Sequence, residues 1–290
     1  MPKPAPPILG VCFSGKRLLY ALAKPGAEGE VIQVGCVDFS FHVLEAINHN
    51  TEMFRGVCNA LENLKAGFDF REIRMLTLPE QECWTTLPKA VCDEQENCTA
   101  HLDILTYGQN VPSAEPVWFT VSNRDYKLVS LRKLPYLQCL DRLTETSPKV
   151  LYFSDFEIGN CWIKHSKSTG SFLTVSCHNN VISVSSFILG KLRAATYIKF
   201  DDINDLPYFW LQNSSQLSWL TGLYDEMLVY GYESYKIIDV LQPFWESNTE
   251  IQKMDNLDKM QVKAKEASYS FNLEEAFPAI MLAVSNDKEG

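Results

Sequence analysis

Short apolar runs and polar turns divide the chain into two stretches written in the same order. Residues 8–13 ("ILGVCF") and 18–23 ("LLYALA") are continuous apolar runs on either side of the turn Ser14-Gly15-Lys16-Arg17. A Gly- and Pro-rich stretch, "KPGAEGE" (24–30), leads to a third apolar run, "VIQVGCVDFSF" (31–41). Runs of this length bounded by turn residues predict strands, and three in succession predict an antiparallel meander. Over 43–68 the period changes. Phe54, Val57, Cys58, Leu61 and Leu64 recur at helical spacing, and Gly67 suits a helix end. "EIRMLTLP" (72–79) predicts a buried strand that ends at Pro79.

The order returns in 171–200. Residues 172–177, 181–187 and 192–200 predict strands, with turns at "HNN" and at Gly190-Lys191. Helical stretches at 205–224 and 234–246 follow, with a short strand, "MLVYG" (227–231), between them. A meander followed by helices and strands, present twice, predicts two similar lobes whose meanders superpose. Between them, "HLDILTYG" (101–108) and "PVWFTVSN" (116–123) predict strands, and 124–143 predicts a helix up to Pro135. "KVLYFSDFEIG" (149–159) predicts a strand leading into the second half. The organisation expected is a first lobe in 1–83, a small inserted subdomain in 84–147, a return to the first lobe in 148–166 and a second lobe in 167–290.

Composition narrows the function classes. With 290 residues and 46% hydrophobic content, the chain can bury a sizeable core. The net charge of −10 argues against nucleic-acid binding and against adsorption to an anionic membrane. No apolar run approaches the roughly 20 residues of a membrane span. The opening "MPKPAPPILG" lacks the order of a signal peptide. A cytoplasmic protein without direct membrane insertion is expected. Nine cysteines, an odd count, predict reduced thiols, with Cys12, Cys36 and Cys177 packed as small hydrophobes. Cys92, Cys98 and His101 form C-x5-C-x2-H, which is not a zinc spacing, so no metal is expected.

Two such lobes resemble the actin-like ATPase superfamily, built on a duplicated ribonuclease-H-like fold. The placement of the insertion is most similar to the bacterial branch that contains the cell-division protein FtsA and the actin-like protein of type IV pilus assembly. The resemblance implies an α/β fold of two ribonuclease-H-like lobes with a small inserted α+β subdomain. In the superfamily the first hairpin follows a pattern like "LGIDIGSSS", whose acid helps organise Mg²⁺ and whose small residues admit phosphate. Here Cys12 replaces the acid and Ser14 the tight glycine, while Gly15 and Lys16 complete the turn. Lys16 and Arg17 either hold an anion or form a solvated turn. In the second hairpin Ser176 replaces the second acid and His178 a glycine. In the adenosine motif Gly231 survives, but Tyr232 and Glu233 take the space of base and ribose. The resemblance therefore implies a nucleotide-like remnant with no catalytic residue and no cofactor.

Other chemistry is sparse. Asp155 and Glu157 form a possible carboxylate pair, because alternating strand residues share a side; helix capping is the competing role. Asp38 has no identifiable partner, the five histidines are scattered, and Asp201 and Asp202 start a turn. The stretch 206–245 is dense in Tyr, Trp and Phe, as in lobe packing or a partner-binding face. The function expected is a non-catalytic scaffold or protein-binding module. By the resemblance, its partner is a protein component of a membrane-associated assembly such as pilus or secretion machinery, which recruits it to the inner membrane. Two rivals stay open. One is a divergent ATPase or sugar-kinase-like phosphotransferase with a rebuilt site, which needs two carboxylates converging in the cleft. The other is a sensor holding a small ligand between the lobes.

Overall fold

Apolar runs that are buried on both faces open the fold. The computed structural model describes residues 6–24, 30–48, 52–107, 116–120, 125–132, 149–245, 248–264 and 269–285. Strands β1 (Ile8–Ser14), β2 (Arg17–Ala23) and β3 (Val31–Asp38) form an antiparallel meander. Ser14 pairs with Arg17 across a two-residue turn, where Gly15 takes a φ of 56°. The helical stretch after it divides into α1 (Val43–Asn48) and α2 (Phe54–Gly67). Strand β4 (Glu72–Thr77) then runs parallel to β1.

The middle of the chain forms a separate three-stranded antiparallel sheet in the order β5-β7-β6. Its elements are β5 (Glu82–Pro88), α3 (Lys89–Cys92), α4 (Gln95–Thr106), β6 (Pro116–Thr120) and β7 (Tyr126–Arg132). Two expectations fail here. Residues 101–106 belong to helix α4, not to a strand. Leu102 and Ile104 alternate, but Leu102 packs with Cys98, one helical turn earlier, on Leu87 and Val129, while Ile104 is exposed. Residues 126–132 form a strand, not a helix. As the central strand β7 is covered on both faces, so Leu128, Val129, Ser130 and Leu131 are all buried and no alternation shows. The rest of that expected helix, 133–135, lies outside the described residues, as do 121–123 of the expected strand 116–123.

Strand β8 (Lys149–Ser154) returns to the first sheet parallel to β4. It ends earlier than expected, in a tight turn at Asp155–Glu157 that feeds α5 (Ile158–Ser166). The second half repeats the plan with β9 (Phe172–His178), β10 (Val181–Ile188), β11 (Lys191–Lys199), α6 (Leu206–Gln216), β12 (Glu226–Gly231), α7 (Ser234–Leu241) and β13 (Glu250–Lys253). The two sheet orders, β3-β2-β1-β4-β8 and β11-β10-β9-β12-β13, are the same order written twice. Each has an antiparallel meander and two parallel strands beyond it.

A last helix, α8 (Leu273–Val284), has every residue from 274 to 284 buried. It follows the second sheet but packs on the first. Gly10 of β1 lies so close that a Cβ there would stand 2.0 Å from the Ala279 carbonyl oxygen. In return, α5 follows the first sheet and meets the second, where a Cβ on Gly159 would stand 2.2 Å from the Phe187 ring. The lobes thus exchange closing helices. One apolar core accordingly joins Leu9, Phe187, Leu228, Tyr230 and Phe277. A second core, around Trp210, Ile182, Val229 and Ile237, lies within the second half. The aromatic run divides between uses: Trp210 and Tyr230 are fully buried, whereas Tyr208 and Tyr235 are exposed.

Candidate functional site

The residues singled out in the two hairpins and at Gly231-Tyr232 meet where the two sheets' central strands face each other across the exchanged helices. On β1, Cys12 is 2% exposed, and its Sγ–H donates to the Glu275 carbonyl at 3.5 Å. Burial pushes the thiol up to about 12, with the carboxylates of Glu275 and Asp155 adding to the rise. A neutral thiol offers no charge to a hydrated magnesium ion.

The hairpin mouth is occupied from within. Ser14 Oγ donates to Glu275 Oε2 at 2.8 Å, and Arg17 Nη1 lies 3.6 Å from Glu275 Oε1. Glu275, in the first turn of α8, is only 5% exposed. Burial raises its carboxyl pKa, while the Ser14 hydrogen bond and the Arg17 charge pull it down. Lys16 is exposed; its carbonyl accepts from Phe39 N–H. Arg17 Nε donates to Asp38 Oδ1 at 2.9 Å, which gives Asp38 the partner the sequence had not suggested.

Tyr232 closes the same mouth from the other lobe. A Cβ on Gly15 would stand 3.7 Å from Tyr232 Cε2, so the ring lies against the hairpin. Its backbone N–H donates to the Cys177 carbonyl at 2.9 Å. Gly231 before it has a φ of 96°, and a Cβ there would lie 2.4 Å from Cys177 O. Only glycine fits that bend over the end of β9.

Beneath the second hairpin, His178 Nε2 lies 2.7 Å from Ser176 Oγ and 3.2 Å from Asp155 Oδ2. Asp155 is 1% exposed. One ring nitrogen faces both neighbours, so this is not a Ser-His-Asp relay, which uses both nitrogens of the imidazole. The expected carboxylate pair is corrected here. Asp155 and Glu157 lie on a tight turn, not an extended strand, and do not converge. Glu157 Oε2 accepts from Ser154 N–H at 2.7 Å as a capping box, while Asp155 faces His178.

Two carboxylates that the sequence did not single out also belong to the site. One is Glu275. The other is Glu82, 6% exposed, which accepts from the hydroxyls of Thr77, Ser130 (2.9 Å), Ser154 (2.8 Å) and Tyr197 (3.2 Å). These donors come from β4, β7, β8 and β11, so one side chain ties the first sheet, the small sheet and the second sheet together. Beside it Phe156 stacks on Tyr197 at 4.4 Å, and Trp84 meets both rings edge-on. Only topology brings these hydroxyls to Glu82; no spacing in the sequence marks them.

Mg-nucleotide does not fit these residues. Cys12 supplies no acid, Glu275 brings a carboxylate to the β1–β2 hairpin, and Tyr232 stands against it. Among the described residues no group of three or more His, Cys, Asp or Glu side chains is placed to hold a metal ion. Cys92 and Cys98 pack with Leu87 and Val129, and His101 Nδ1 bonds the Asn97 carbonyl. Asp202 accepts from Asn204 N–H as a turn cap. Among the described residues no helix is long and apolar enough to cross a membrane.

No protein-family model matches the chain, and no curated protein matches it in sequence. Solved structures do. The PilM–PilN type IV pilus biogenesis complex matches with a TM-score of 0.63 at 10% identity, over 97% of this chain and 98% of that one. The cytoplasmic domain of EpsL, an inner-membrane component of the type II secretion system of Vibrio cholerae, matches with 0.53 at 13% identity, over 87% and 92%. A Bacteroides thetaiotaomicron protein with an actin-like ATPase fold and unknown function matches with 0.51 at 14% identity, over 86% and 92%. With the repeated sheet order, these likenesses establish the duplicated ribonuclease-H-like fold of the actin-like ATPases.

Proposed function

We propose that this chain is a non-catalytic scaffold on the actin-like fold, a module that binds a protein partner. The observation that carries the reading is the buried Glu275 carboxylate at Ser14 and Arg17, where the superfamily would receive phosphate. Tyr232 against Gly15 supports it, as does His178 beside Asp155, where an imidazole stands near a buried carboxylate. In this reading Cys12, Ser14, Gly15, Lys16, Ser176, His178, Gly231 and Tyr232 are the remnant of a nucleotide site, filled from within. The chain divides into a first lobe (1–83 and 148–166), an inserted subdomain (84–147) and a second lobe (167–290). The partner class follows by analogy: PilM–PilN is described as a pilus biogenesis complex and EpsL as an inner-membrane secretion component. We assign a protein of such a membrane-associated assembly, met on the cytoplasmic side, and a place beside the pilus and secretion branch of the superfamily.

A melting curve with millimolar Mg-ATP tests the reading. A ligand at a hundred times its dissociation constant stabilises a fold by about 2.7 kcal/mol. The melting temperature is expected not to move. A rise that Tyr232→Ala alters would overturn the proposal, as would ATP hydrolysis above the level of a Cys12→Ala, Glu275→Ala control.

A further inference from the structure

We propose that the groove between the small sheet and the edge of the second sheet takes an extended peptide segment of the partner as an added strand. The proposal rests on the scaffold reading and gives it a location. The groove encloses about 490 Å³. One wall is a face of the small sheet, with Trp84 and Tyr126; another is Trp219, beyond the end of α6. The third wall is β11 itself, through Arg193, Ala194 and Ala195.

Three observations favour an extended peptide. First, among the described residues β11 is the end strand of its sheet and pairs with β10 alone. Its outer edge therefore presents backbone donors and acceptors toward the groove. Edges are commonly guarded by bulky or charged side chains; Arg193 is such a guard at one position, whereas Ala194 and Ala195 beside it add no bulk at the opening. An added strand bonds to such an edge through its main chain. Second, the pairing of β10 with β11 shifts register at Ser186/Phe187, so that Phe187 faces Leu192 and Ser186 faces Ala194. Arg193 is the extra residue. A bulge of this kind re-aims a side chain, and it brings three consecutive residues of β11 to the groove while 194–199 keep regular register. Third, the chemistry of the walls is mixed. Trp84, Tyr126 and Trp219 suit apolar or aromatic side chains, and Arg193 places a cation in a chain of net charge −10. The occupant is thus an extended segment in which apolar residues accompany an Asp or Glu that meets Arg193.

A phage-displayed library of random linear peptides, selected on the whole protein, tests this. Enriched peptides are expected to carry an acid among apolar residues. Arg193→Glu and Ala194→Trp, each checked for fold by circular dichroism and melting, are expected to weaken them about tenfold or more. N-methylation of one alternating set of peptide amides should weaken binding similarly, and of the other set should be silent. Peptides indifferent to both substitutions would overturn the groove and leave the scaffold reading in place. Peptides that need the groove but tolerate methylation of either set would overturn strand addition. Failure to enrich any peptide would also overturn the proposal; the Mg-ATP titration judges the scaffold reading independently.

Discussion

Glu275 shows how one buried carboxylate shapes the site. Its burial disfavours the charged form, and Ser14 and Arg17 compensate only in part, so its folded pKa lies above the ordinary carboxylate value. The sign of the pH effect follows. From about pH 4 up to the raised folded pKa, the folded state holds a proton the unfolded chain has lost. Stability therefore falls as pH rises through that window and levels off above it. Glu275→Gln keeps the shape and removes the charge. Its melting temperature, relative to the parent chain, is expected to climb as pH rises from 4 to 7. A difference that shrinks would show that the carboxylate is stabilised in its ionised form, and one that stays constant that folding leaves its pKa unshifted; either would contradict this account. The sequence made the hairpin end of this contact visible. Cys12, Ser14 and Tyr232 could each be seen as departures from a motif. Glu275 could not, because it meets Ser14 across 261 residues and carries no local pattern. Glu157 was ambiguous for a local reason: Ser154-x-x-Glu157 is both a strand end and a capping box.

At the scale of elements, the informative contact is between β1 and α8. Gly10 lets the two backbones approach until no side chain fits: a Cβ there would also stand 2.9 Å from Ala283 N. Gly10→Ala must push α8 away or distort β1. Overpacking of this kind costs about 1–3 kcal/mol. Gly56→Ala is the matched control. It lies in α2, where a Cβ would meet Phe41 at 3.5 Å, an ordinary contact, and where alanine favours helix by up to about 1 kcal/mol. Urea unfolding is expected to show Gly10→Ala weakened and Gly56→Ala unchanged or strengthened; equal effects would contradict the packing described. The meanders were legible because each strand carries its own run and its own turn. Strand β7 and helix α4 were not, because burial on both faces erased the alternation in one and a chance Leu-Ile spacing suggested it in the other. Helix α8 lacked a signal as well: buried on all sides, it has no polar face, and Pro278 inside it reads as a break.

The exchanged helices decide how the whole molecule unfolds. Two lobes with independent cores would be free to melt separately, as domains joined by a linker do. Here the closing helix of each half is part of the other half's packing. Removing α8 from β1 would uncover Leu9, Val11 and the apolar face of α8 together, at roughly 25 cal/mol for each Å² exposed. Glu82 adds a polar tie at the same junction, since separating β11 from the first sheet would take the Tyr197 hydroxyl from it. Neither half can open alone without exposing apolar surface of both. Calorimetry is therefore expected to show one transition with equal calorimetric and van't Hoff enthalpies. A chain ended before residue 269, which lacks α8, is expected to lose ordered structure in the first half as well as the second, visible as loss of amide protection in β1 and β2. Two resolved transitions in the whole chain, or protected β1 and β2 amides in the shortened one, would mean the lobes stand independently. The same coupling bears on the scaffold reading. A junction filled by Glu275, Tyr232 and His178 favours one fixed arrangement of the two sheets, and in the scaffold reading this would hold the β11 edge and the small sheet at constant spacing for a partner.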